Sequence, residues 1–136
     1  MSFNLQSLLH SQELILAQTE QYKIHIDFKT RLVLLSETKK LLAVYFKESI
    51  ALSNILLKQR NSTLGMESTV SRYVHETHGE SRKIIALFQK YNANSSERGR
   101  FEFQMDIAQA LSLLEHHIGI EKKYFIPEYK SNIARN

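Results

Sequence analysis

Leu113-Leu114-Glu115-His116-His117-Ile118-Gly119-Ile120-Glu121-Lys122-Lys123-Tyr124-Phe125-Ile126-Pro127 is the stretch from which the rest of the chain is best read. His117 and Glu121 stand four apart, so a helix places them on one face, a turn from each other. Leu113, Leu114, Ile118, Tyr124 and Phe125 make the surroundings of that face apolar. A carboxylate buried there without a cation or a partner would cost several kcal/mol. The spacing leaves two readings open. Imidazole and carboxylate on adjacent turns, turned into a helical core, suit iron or zinc. Alternatively, Glu121 lies at the edge of the helix packing and pairs with Lys122 or an arginine.

Outward from this stretch the chain reads as helix almost throughout. The first 64 residues contain neither Gly nor Pro, and Pro127 is the one proline. Apolar residues recur at helical spacing: Leu5, Leu8 and Leu9; Leu41, Leu42, Tyr45 and Phe46; Ile107, Ala110, Leu111 and Leu114. Breakers fall at Asn61-Ser62-Thr63-Leu64-Gly65 and at Asn92 to Gly99. A further turn is required near His25 to Lys29, with Asp27 or Ser36 as candidate cap. Four helices are predicted, over roughly 3–24, 30–60, 66–91 and 99–130, each about 33–48 Å long at 1.5 Å per residue. Short connections between such helices favour an all-α, up-and-down antiparallel four-helix bundle. Residues 1–130 make one domain, and Ser131 to Asn136 reads as a flexible tail.

A faint internal repeat agrees with this division. A shift of 68 residues lays Tyr45 to Ile50 over Leu113 to Ile118, Leu56-Leu57 over Tyr124-Phe125, and His10 over His78. It also lays the Asn/Ser-rich loop over residues 24–31, where a turn is required.

Composition removes several classes of function. The chain has 136 residues, of which 43% are hydrophobic and 24% charged, a globular balance. No cysteine is present, so disulfides, thiolate zinc sites and thiol chemistry are excluded. The net charge is +4, but Lys and Arg are interspersed with acids, as in Glu37/Lys39/Lys40, so nucleic acid is not expected as a partner. No apolar run approaches the ~18 residues of a membrane span. Met1-Ser2-Phe3-Asn4 lacks the pattern of a secretion signal, and a cytoplasmic address is expected. The four glycines form no phosphate-cradling motif, and no nucleophile elbow is present.

Leu114, His117, Ile118, Glu121, Phe125 and Pro127 resemble the last-helix pattern of the hemerythrin-like, HHE cation-binding family, of the form Leu-x-x-His-Ile-x-x-Glu-x-x-x-Phe-x-Pro. His78, followed by Ile84, Ile85 and Phe88, resembles the family's third helix, and His10 its first. The separations from His10 to Ser49 and from His78 to His117 are both 39. The resemblance runs over nearly the whole chain, although only the last-helix motif is specific. It implies the bundle fold and a metal site built from His10, His78, His117 and Glu121, with His75 or His116 as substitutes.

The chain departs from the family at two places. The second helix of the family supplies a His and, four residues on, a Glu that bridges two irons; here Ser49 and Ser53 occupy those positions. On the third helix, His75 and His78 are three apart rather than four. A serine hydroxyl is a poor iron ligand. The resemblance therefore implies one cation, iron with zinc as the alternative, rather than a di-iron centre. The expected function is metal binding in oxygen or nitric oxide sensing or in iron handling, with a protein partner or a homodimer compatible with the long helices. The alternative is a metal-free bundle acting as an interaction or regulatory module. Acid/base catalysis at His117 and Glu121 ranks third, since no residue pattern names a substrate.

Overall fold

The computed structural model describes residues 3–59 and 67–135, and among these the regular structure is entirely helical. Helix α1 (Leu5–Ile24) is followed by α2 (Phe28–Gln59), α3 (Glu67–Gln89) and α4 (Arg100–Ile120). The last runs through a π turn (Glu121–Phe125) into α5 (Ile126–Arg135). A 3₁₀ turn at Glu97–Gly99 leads into α4. Successive helices pack on one another, and α1 also meets α4, so the interior is lined from all four. No helix among the described residues is long and apolar enough to cross a membrane.

The helix starts follow from local chemistry. The Asn4 side chain accepts from the Ser7 amide and caps α1. Asp27 caps α2 in the turn where a cap was expected, accepting from the Thr30 amide at 3.0 Å and from its hydroxyl at 2.6 Å. Arg31 ties this end together by donating to the carbonyls of Tyr22 and His25 and to Gln104 of α4. The expected loop Asn61 to Gly65 lies outside the described residues. The second expected loop is present, between α3 and the 3₁₀ turn.

The last helix runs further than expected. Residues 131–135 continue α5 beyond the expected end at 130. Proline lacks an N–H and crowds the carbonyl of the preceding turn. The π turn widens that turn just before the proline, with the Ile126 amide reaching back to the Glu121 carbonyl. Phe3 packs edge-on against Tyr129 at 5.1 Å between ring centroids, which joins α5 to the start of the chain.

The core is aromatic and aliphatic, with Tyr22, Tyr45, Phe88, Phe103 and Phe125 fully enclosed. It is also unusually polar for its size. Gln12, Gln18, Thr38, Ser49, Ser53, Thr77, His117 and Glu121 are all buried. These form two interior layers. In one, Gln18 and Tyr22 converge on the Thr38 hydroxyl at 2.9 and 2.8 Å. The other is built around Glu121.

Candidate functional site

Glu121 opens the π turn and is completely buried. One carboxylate oxygen, Oε1, accepts from Gln12 Nε2 at 3.0 Å and from the Tyr45 hydroxyl. The other, Oε2, accepts from the Ser49 hydroxyl and lies 3.6 Å from His117 Nε2. Helices α1, α2 and α4 thus each bring a group to the same acid. Removing a carboxylate from water is expensive, and charge-assisted hydrogen bonds of this kind are what offset it.

The protons can be counted. The Ser49 hydroxyl has one hydrogen, given to Glu121, so its oxygen must accept from His117 Nε2 across their 3.0 Å contact. His117 therefore carries a proton on Nε2. Tyr45 and Phe46 hold the imidazole edge-on, at 5.8 and 5.5 Å between centroids. Among the described residues, nothing partners its buried Nδ1.

Electrostatics agree with a charged acid. Burial pushes the Glu121 carboxyl toward its neutral form, but His117, by hydrogen bond and charge, then Ser49 and Tyr45, outweigh it and hold the pKa below the ordinary value. Burial, followed by the Glu121 charge and hydrogen bond, drives the Tyr45 phenol well above its usual value, so it remains a donor.

Of the four residues expected to hold a metal, His117 and Glu121 meet. His10 and His78 do not join them. His10 is exposed, because the buried face of α1 runs through Leu8, Ser11, Gln12, Ile15, Gln18, Thr19 and Tyr22. Two residues from Leu8 and two from Gln12, His10 lies about 160° from that stripe at 100° per residue. Gln12 occupies the place assigned to it. His78 is half-buried on α3, beside the buried Thr77, with Nε2 enclosed and without a partner among the described residues. Burial, then Arg82, His75 and His117, hold its pKa below the usual imidazole value. His75 is exposed. Ser53, the other second-helix departure, turns back to the Ser49 carbonyl at 3.1 Å and leaves the acid alone.

The interior does not fit the iron centre that the resemblance implies. At Glu121 one imidazole and one carboxylate meet, and both carboxylate oxygens already accept hydrogen bonds from neutral side chains. Among the described residues, the one group of three or more potential ligands with atoms within 4.8 Å of one another lies elsewhere, at Glu76, Glu80 and His116. His116 Nε2 stands 3.2 Å from Glu76 Oε1 and 3.5 Å from Glu80 Oε2, bridging α3 and α4 near the surface. No family model, curated protein or solved structure matches this chain.

Glu76, Glu80, Gln12 and Tyr45 were missed by the sequence reading, or in Tyr45's case read as plain core. For the two acids the available signal was their spacing of four on α3, opposite a histidine of α4.

Proposed function

We propose that the chain is an up-and-down four-helix bundle of hemerythrin-like type whose interior holds hydrogen bonds where a metal would sit, and that it serves as a non-enzymatic interaction or regulatory module. One observation carries this reading: the buried acid, Glu121, receives Gln12, Tyr45, Ser49 and His117 as partners. Two of these, Gln12 and Ser49, stand where a ligating helix would offer imidazoles or acids. A carboxylate so supplied needs no cation to remain charged in the core. Both oxygens of Glu121 are already taken by these donors. This favours a structural role for His117 and Glu121 over acid/base catalysis.

The rival reading, iron held by the interior for gas sensing or iron handling, rests on the His117–Glu121 pair and the last-helix pattern. Anaerobic loading with Fe(II), followed by desalting and elemental analysis, separates the two. The metal-free reading of the interior expects no change in the environment of His117, whatever iron is held elsewhere on the chain. Stoichiometric iron that shifts the His117 imidazole resonances would overturn it.

A further inference from the structure

Glu76 and Glu80 lie one turn apart on α3, so their carboxylates repel each other along one helix face. Between them comes His116 of α4, its Nε2 at 3.2 Å from one acid and 3.5 Å from the other. Ligands around a first-row cation, at bond lengths of about 2.0–2.2 Å, stand roughly 2.9–3.6 Å from one another. His116 stands within that range of both carboxylates.

A second observation comes from Glu80 itself: among the described residues its other carboxylate oxygen, Oε1, is enclosed and meets no partner. A buried carboxylate oxygen is rarely left so, and an ion or a water is what usually supplies the partner. Burial raises the pKa of the Glu80 carboxyl; His116 and His117 oppose the rise and Glu76 adds to it. On the solvent side of His116, Tyr73, Lys123 and Tyr124 line a surface hollow of about 350 Å³.

We propose that Glu76, Glu80 and His116 form a three-ligand site for a divalent first-row transition cation on the α3–α4 face, with the remaining coordination positions open to water. One imidazole with two carboxylates favours zinc, iron or manganese over magnesium, which prefers oxygen alone. The site binds α3 to α4 directly, so occupancy stabilises the pairing of these two helices by mass action. It is separate from the interior acid and does not depend on that acid being metal-free.

The test uses the full chain, stripped with chelator and titrated with Zn²⁺, with Mg²⁺ as the control. Calorimetry is expected to show one zinc per chain and no magnesium uptake. In the same titration the His116 imidazole ¹⁵N resonances should move while those bonded to Ser49 do not. His116→Ala, or Glu76→Gln with Glu80→Gln, should weaken zinc by at least about ten-fold, since even indirect partners of a ligand are worth that much. These changes are near the surface, and circular dichroism checks that each variant is folded. Absence of saturable zinc uptake, or uptake indifferent to these substitutions, would mean that the three residues make an ion pair only. Zinc that shifts His117 but not His116 would overturn both this site and the metal-free interior, whereas no zinc uptake at all would leave the interior reading standing.

Discussion

Glu121 and Glu80 are two glutamates close to the same stretch of α4, and their surroundings drive them in opposite directions. Glu121 is wholly enclosed, yet its pKa lies below the ordinary value, because both of its oxygens are met by donors. Glu80 is less buried, yet burial, with Glu76 adding to it, raises its pKa against the opposing pull of His116 and His117. Depth alone therefore does not decide charge; the supply of donors does. The internal repeat sharpens the contrast. The shift that lays Ser49 on His117 also lays Gln12 on Glu80. In the first half of the chain that position is an amide that donates to the interior acid. In the second half it is another acid, which meets His116 of α4 near the surface.

The largest effect should come from breaking the satisfied side. Glu121→Leu leaves the donors of Gln12, Tyr45 and Ser49 enclosed without the acceptor they share. It should destabilise the fold by about 3–5 kcal/mol, the usual cost of removing one member of a buried charged network. Equilibrium denaturation with urea measures this, and a loss under about 1 kcal/mol would mean the network contributes little.

Tyr45→Phe removes one donor and keeps the ring. A hydrogen bond to a charged group is worth about 1.5–3 kcal/mol, and a loss of that order is expected near neutral pH. The effect has a defined pH dependence. The folded-state pKa of Glu121 is depressed, so its stabilisation is present above the unfolded-state value and disappears as pH falls through the folded-state value. With a donor gone the folded-state pKa rises, and Tyr45→Phe should begin acid unfolding at a higher pH than the parent chain. An unchanged acid limb would sever Tyr45 from the acid.

The smallest effects test the phase of α1. Gln12→Leu should cost about 1–3 kcal/mol, because Glu121 loses an amide donor. His10→Ala, on the exposed face, should stay within about 0.5 kcal/mol. The opposite ranking would return His10 to the interior.

These residues also show what was legible in the sequence. The long helices and the turn capped by Asp27 followed from missing breakers and from simple cap chemistry. The His117–Glu121 face was legible because leucines, isoleucines and aromatics flank it densely enough to fix its direction. Ser49 and Ser53 were recognised as departures, and Ser49 indeed meets His117, its counterpart in the repeat. The phase of α1 was not legible. Its buried stripe includes Ser11, Gln12, Gln18 and Thr19, so hydropathy hardly distinguishes inside from outside, and choosing a ligand by residue type selected His10. A polar interior layer erases the pattern from which helix orientation is read. The π turn before Pro127 was hidden as well, since no short motif announces it.

The contrast between the two acids is tested most directly by following glutamate side-chain carboxyl ¹³C resonances through a pH titration in chelator, assigned with Glu121→Gln and Glu80→Gln. Glu121 is expected to ionise below the ordinary carboxylate value and Glu80 above it. The reverse order, or a Glu121 still protonated at neutral pH, would contradict the claim that protein donors alone keep the buried acid charged.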